Sequence, residues 1–120
     1  MARIIIIEDE TDLREILVEE LKDAGHDILE ACDGLEGLAM IQAEDPEVII
    51  SDIGMPRMDG CELRKRLQDC PRFGKTPFLF LTALERQDAE DKGVRVIADG
   101  YFNKPVDFDV LLSRIAACAA

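Results

Sequence analysis

The chain has 120 residues, of which 48% are hydrophobic and 33% are charged, and this is the size and composition of one globular domain. Its formal net charge of −12 argues against binding to nucleic acid or to an anionic membrane, because both recruit basic surfaces. Four cysteines lie far apart without a C-x-x-C pair, so we interpret them as free thiols of a reducing compartment. No apolar run approaches the length of a membrane span. We therefore expect one cytoplasmic domain over residues 1–120.

The hydrophobic pattern predicts five strands that alternate with five helices. Three solid apolar runs, Ile4–Ile7, Val48–Ile50 and Phe78–Leu81, are typical of strands buried on both faces of a sheet. Two weaker runs, Ile28–Ala31 and Gly100–Asn103, are expected to form strands nearer the sheet edges.

Amphipathic stretches between these runs predict the helices. The first helix is expected to start with Thr11 or Asp12 as its N-cap and to stop at Gly25. The second, third and fifth helices are marked by apolar residues at helical spacing: Leu35, Leu38, Ala39 and Ile41; Leu63 and Leu67; and Phe108, Leu111, Leu112 and Ile115. The fourth, about Glu85 to Val96, has few apolar positions and is interrupted by Gly93.

Strands that alternate with helices through short connections indicate parallel pairing with right-handed crossovers. The predicted fold is therefore α/β, a doubly wound five-stranded parallel sheet of flavodoxin-like (βα)5 type with strand order 2-1-3-4-5. Ligands of such sheets bind beyond the carboxyl ends of the strands, where the strand order reverses. The residues that directly follow each strand are thus the candidates for function.

Carboxylates follow two strands that this order makes neighbours. Glu8 and Asp9 come after strand 1, and Asp52 comes after strand 3. Three converging carboxylates cannot all stay ionised at modest cost unless a cation joins them. Mg²⁺ fits, because it uses few protein carboxylates and keeps water for an incoming phosphate. Acidic residues after a strand are also common as solvated loop or cap residues, and for Glu8 and Asp9 alone this alternative stays open.

Hydrogen-bond donors follow the remaining strands. Thr82 comes after strand 4 and Lys104 after strand 5. A hydroxyl and an ammonium opposite a carboxylate–metal centre are suited to bind a phosphoryl group, whose transfer depends on positioning and charge neutralisation. Asp52 is then the candidate nucleophile that forms an acyl phosphate. His26, in the turn after the first helix, is expected to be a solvated loop residue and not a phosphoacceptor.

These motifs, in this order, resemble the receiver domain of two-component response regulators over the whole chain. They are E-D at residues 8–9, D-I-G-M-P-R-M-D-G from residue 52, T-A at 82–83 and K-P at 104–105. The resemblance implies a signalling switch in which a histidine kinase or histidine phosphotransfer protein donates a phosphoryl group to Asp52. It also implies that Glu8 and Asp9 hold Mg²⁺ and that the backbone carbonyl of Gly54 is a further ligand.

The same resemblance implies how such a switch signals. Phosphate would draw Thr82 inward, and Tyr101 would move into the vacated space and repack the face formed by helix 4, strand 5 and helix 5. From the residues alone, an ordinary partly buried tyrosine at position 101 is an equal alternative. A cis peptide is implied before Pro105. The chain would be a phosphoacceptor that assists its own phosphorylation and dephosphorylation, not an enzyme, and its downstream partner would be a protein target or an output domain absent from this chain.

Departures from the family pattern fall at two positions that tune dephosphorylation. Gly54, two residues past Asp52, and Leu84, two past Thr82, carry no polar side chain that could position water. A long-lived phosphorylated form is therefore expected. Val106 stands where many relatives carry Phe, and we expect only a packing change there.

Three other functions are alternatives to this interpretation. A small Mg²⁺-dependent aspartyl-phosphate phosphatase would need an acid two residues past the nucleophile, where Gly54 stands. A flavin- or nucleotide-binding module would need a glycine- or hydroxyl-rich loop after strand 1, where the acidic residues 8–10 stand. A phosphate-independent, receiver-like interaction module stays open.

Overall fold

The structure, a computed structural model, describes residues 2–83 and 100–119. The strands of this part are β1 (Arg3–Ile7), β2 (Asp27–Ala31), β3 (Val48–Ser51), β4 (Phe78–Thr82) and β5 (Gly100–Asn103). Its helices are α1 (Thr11–Asp23), α2 (Gly34–Glu44), α3 (Gly60–Gln68) and α4 (Phe108–Ala119). The fourth predicted helix, about Glu85 to Val96, lies outside the described residues, so α4 is the fifth helix of the sequence prediction.

The five strands form one parallel sheet in the order β2-β1-β3-β4-β5, which confirms the predicted doubly wound α/β fold. The register aligns the last residues of β1 and β3, with Ile7 opposite Ser51. Thr82 at the end of β4 pairs with Asn103 at the end of β5. The residues that follow these four strands therefore leave the sheet at one common edge.

The run of isoleucines in β1 is buried because it packs on both faces of the sheet. Ile4, Ile5, Ile6 and Ile7 are each at most 1% exposed. Ile5 and Ile7 belong to the core layer that contains residues of α2 and α3, whereas Ile4 and Ile6 belong to the layer that contains residues of α1 and α4. The alternation follows from the two-residue period of a strand. In the described ranges, no helix is long and apolar enough to cross a bilayer.

Helix α1 starts one residue earlier than the prediction placed it. Its N-cap is Glu10, whose carbonyl accepts the N–H of Arg14 at 3.0 Å, so Thr11 is already helical. The predicted stop at Gly25 is confirmed: Gly25 has φ of 95°, and its N–H donates to the carbonyl of Lys22 at 2.9 Å. A positive φ at this position is the usual helix ending for which glycine is favoured.

Aspartates cap the next two helices and fix where each begins. Asp33 accepts the N–H of Glu36 at 2.9 Å at the start of α2, and Asp59 accepts the N–H of Glu62 at 2.8 Å at the start of α3. Such caps satisfy backbone donors that a helix leaves unpaired in its first turn. Both helices follow the carboxyl ends of strands, so their first turns border the edge where β1 and β3 end.

Candidate functional site

Backbone hydrogen bonds extend past the strand ends and position the candidate residues. The N–H of Glu8 donates to the last carbonyl of β2 at 3.0 Å. The N–H of Asp52 donates to the carbonyl of Ile7 at 3.1 Å, and that of Lys104 donates to the carbonyl of Thr82 at 3.0 Å. Each candidate residue is thus tied to a neighbouring strand, and the three side chains emerge on one edge of the sheet.

The ammonium of Lys104 joins two carboxylates from different strands. Its Nζ lies 2.7 Å from Oε1 of Glu8 and 3.0 Å from Oδ2 of Asp52. Glu8 is 2% exposed and Asp52 is 7% exposed. The other oxygen of Asp52, Oδ1, accepts the N–H of Ile53 at 2.7 Å. The three residues that the sequence placed after strands 1, 3 and 5 are therefore in direct contact.

The site holds more negative charge than Lys104 neutralises. The pKa of Glu8 is raised to about 7, first by burial and also by the neighbouring charge of Asp52, against the hydrogen bond from Lys104. For Lys104, burial lowers the pKa, but the hydrogen bonds to Glu8 and Asp52 outweigh it and raise the pKa overall. Lys104 therefore stays charged, and further positive charge at the site would let Glu8 ionise.

Asp9 adds a third carboxylate, exposed to solvent. Single carboxylate oxygens of Glu8, Asp9 and Asp52 all lie within 4.8 Å of one another. Hard oxygen donors, two buried and one at the surface, fit an ion that keeps part of its water shell, as Mg²⁺ does. Gly54 lies in the exposed part of the loop after Asp52. The residues present thus fit Mg²⁺ at the predicted position.

The remaining predicted residues lie on β4, on β5 and just after β5. Thr82 is buried at the end of β4. Tyr101 is half-buried on β5, and its ring centroid lies 6.4 Å from that of Phe80. The peptide between Lys104 and Pro105 is cis, as the resemblance implied.

Arg14 is a contributor that the sequence analysis missed. Its Nη1 donates to the carbonyl of Glu8 at 2.7 Å, and its Nε lies 3.4 Å from Oε1 of Glu30. The Arg14 side chain is largely buried, and it connects α1 to Glu8, the first residue of the Glu8–Asp9 pair. An arginine in an amphipathic helix carries no sequence signal for such a contact, because the partner is a backbone carbonyl.

Comparison with known proteins places this architecture in a family. The family description "Response regulator receiver domain" matches residues 4–116. The chain is 32% identical over 120 residues to Protein PilH of Pseudomonas aeruginosa, covering all of this chain and 99% of that protein. It is 34% identical over 117 residues to the DNA-binding dual master transcriptional regulator RpaA of Synechocystis sp., covering 98% of this chain and 48% of RpaA. It thus spans about half the length of some curated relatives.

A solved structure agrees with this match. The chemotaxis response regulator CheY4 of Vibrio cholerae superposes with a TM-score of 0.87 at 33% identity, covering 98% of each chain. The chain therefore belongs to the response regulator receiver domain family. Proteins of this family serve phosphorylation-dependent signalling in two-component systems, generally bind Mg²⁺ at an acidic pocket, and interact with histidine kinases or phosphotransfer proteins and with downstream targets.

Proposed function

We propose that this chain is a Mg²⁺-dependent signalling switch that accepts a phosphoryl group on Asp52. The observation that carries the proposal is the contact of Lys104 with both Glu8 and Asp52 at the edge where Asp9 also lies. The Lys104 ammonium bridges two of the three clustered carboxylates. The negative charge that remains can be neutralised by a further cation. That is the charge balance a phosphoryl acceptor needs before a dianionic group arrives.

The proposed reaction assigns a task to each residue. A carboxylate oxygen of Asp52 attacks phosphorus, and the bond from phosphorus to the donor's histidine nitrogen breaks as the new P–O bond forms. The ammonium of Lys104 and the hydroxyl of Thr82 stabilise the charge on the phosphoryl oxygens. Glu8, Asp9, Asp52 and the carbonyl of Gly54 would hold Mg²⁺, which when bound neutralises phosphoryl charge.

We also propose that the chain is a phosphoacceptor and not a turnover enzyme. A phosphatase that uses an aspartyl phosphate would benefit from a second acid to protonate the leaving group. The residue two positions past Asp52 is Gly54, which has no side chain to serve as that acid. The phosphoryl group would leave Asp52 slowly, as suits a signal that has to persist.

For signalling, we propose the face formed by the predicted helix 4, by β5 and by α4, with Thr82 and Tyr101 as the switch residues. Val110 on α4 is apolar and yet 52% exposed. The partners would be a histidine kinase or phosphotransfer protein and a downstream protein or output domain. All four cysteines are free thiols, which supports a reducing, cytoplasmic location.

The proposal is tested by incubating the protein with acetyl phosphate and Mg²⁺ and measuring its intact mass. Asp52→Asn and a sample in excess EDTA are the controls. A gain of one phosphoryl group that needs both Asp52 and Mg²⁺ is the expected result. If wild-type protein gains no mass and also fails to bind beryllofluoride with Mg²⁺, the chain works as a phosphate-independent interaction module instead.

A further inference from the structure

A second buried charge lies at the junction of α2 with the loop that follows β3. Nε of Arg57 donates to Oδ2 of Asp33 at 3.0 Å, and Nη2 of Arg57 contacts the same oxygen. The Asp33 side chain is only 5% exposed. Its other oxygen is occupied by the N–H of Glu36, the helix cap described above. Asp33 therefore joins the first turn of α2 to residue 57 of the loop.

The backbone of Arg57 has a conformation that side chains rarely adopt. Its φ is 66°, in the left-handed region that favours glycine, asparagine and aspartate. A residue persists there when its surroundings hold it, and such residues are frequent where a loop serves a function. The contact with Asp33 is one of the interactions that hold Arg57 in this conformation.

The loop that carries Arg57 packs directly on α2. The N–H of Met58 donates to the carbonyl of Pro56 at 2.7 Å. Met58 is buried, and a Cβ added to Gly34, the first residue of α2, would lie 2.3 Å from the Met58 carbonyl oxygen. This close backbone approach couples the position of the Arg57 side of the loop to that of α2.

We infer that Arg57 and Asp33 are positioning residues that fix the loop after Asp52, and with it the carbonyl of Gly54, for metal binding. The inference rests on the proposed function. Only Met55 and Pro56 separate Gly54 from Arg57 along the chain, and Pro56 restricts the backbone between them. A displacement of Arg57 is therefore transmitted toward Gly54. Mg²⁺ tolerates little departure from octahedral geometry, and loss of a group that orients a metal ligand weakens binding about 10- to 100-fold.

Two single variants remove the contact from opposite ends. Arg57→Asn removes the charge but tolerates a positive φ, and Asp33→Asn keeps an oxygen that can accept the Glu36 N–H. Calorimetric titration of the full chain with MgCl2, without any phosphate donor, gives the Kd for the ion. Each variant is expected to raise Kd about tenfold. The double variant is expected to raise it no further, because both changes break one contact.

Conservative and distant variants complete the test. Arg57→Lys keeps the charge and is expected to recover part of the affinity. In the wild-type protein, Nη2 of Arg72 lies 3.2 Å from Oδ2 of Asp45 in an exposed ion pair. Arg72→Asn removes this ion pair and is expected to leave Kd unchanged. Thermal unfolding is recorded on every variant, since a purely structural contact would lower the unfolding temperature without changing Kd.

Two results would overturn the inference. If Arg57→Asn is folded and binds Mg²⁺ as wild type does, the contact only stabilises the fold. If the two single variants weaken binding but their effects add fully in the double variant, the contact between them is not the cause. Failure of the wild-type protein to bind Mg²⁺ would instead overturn the proposed metal site itself, and the inference with it.

Discussion

Lys104 and Glu8 meet across the sheet, with Nζ of Lys104 2.7 Å from Oε1 of Glu8. Lys104 follows β5 and Glu8 follows β1, and in the sheet β3 and β4 lie between these two strands. The contact therefore spans the end of the sheet at which Asp52, the residue after β3, also lies. Within residues 2–83 and 100–119, one ammonium contacts both buried carboxylates, and several properties of the site can be predicted from this charge balance.

The stability of the metal-free protein should depend on the ionisation of Glu8. Because the pKa of Glu8 is raised from 4.5 to about 7 on folding, the folded state binds a proton that the unfolded state releases in this range. Ionisation of the buried Glu8 destabilises the folded protein. This effect is absent below pH 4.5, grows between pH 4.5 and 7, and is complete above pH 7. Thermal unfolding in EDTA should show wild type losing about 1–3 kcal/mol relative to Glu8→Gln across this range. Parallel pH profiles of the two proteins would contradict the prediction.

Lys104→Ala should slow phosphorylation strongly. The substitution removes the cation that contacts Asp52 and that would stabilise the phosphoryl oxygens. Loss of one such charge-stabilising donor lowers a rate about a hundredfold. The rate of mass gain with acetyl phosphate at saturating Mg²⁺ measures it. Lys75→Ala, which truncates an exposed lysine, serves as the matched control and should react at the wild-type rate.

Two glycines near Asp52 should respond differently to alanine. A Cβ at Gly60 would lie 2.1 Å from the Asp52 carbonyl oxygen, whereas a Cβ at Gly54 meets nothing within 4 Å. Gly60→Ala is expected to cost about 1–3 kcal/mol of unfolding free energy, since backbone has to move. Gly54→Ala should stay within about 0.5 kcal/mol of wild type. Urea denaturation distinguishes them, and equal stability of both variants would be contrary to the structure.

The phosphorylated form should persist for minutes or longer once the donor is removed. Neither Gly54 nor Leu84 has a side chain that could position a water molecule for attack on phosphorus. Gly54→Glu places a carboxylate two residues past Asp52 and is expected to accelerate the loss of the phosphoryl group. Intact mass recorded at intervals after desalting gives both rates. Decay of the wild-type phosphate within seconds would show that water reaches the site by another route.

The sheet and the central site could be predicted from the sequence because both follow from local patterns. The solid run from Ile4 to Ile7 can be buried only by cover on both faces of the sheet, which indicates a central parallel strand. Parallel strands end at one edge, so Glu8, Asp52 and Lys104 had to converge once the strand order was chosen. The contacts of Lys104 confirm that convergence.

The features that could not be predicted depend on contacts that no periodic pattern of the sequence encodes. His26 was expected to be a solvated loop residue, but it is half-buried, and its Nδ1 accepts the N–H of Ala2 at 3.1 Å. Arg14 bonds a backbone carbonyl, and Arg57 pairs with an aspartate 24 positions earlier. The hydrophobic periodicity does not indicate such partners, since each depends on how two elements of the fold lie relative to each other.

The measurement that tests the central claim most directly is the chemical identification of the phosphorylated residue. Borohydride reduces an aspartyl phosphate to homoserine and leaves free aspartate unchanged. The protein is treated with acetyl phosphate and Mg²⁺, reduced, digested and sequenced by mass spectrometry. The account predicts homoserine at position 52 alone, and none when Mg²⁺ is chelated. Homoserine at Asp9 or at another carboxylate, with Asp52 intact, would contradict it.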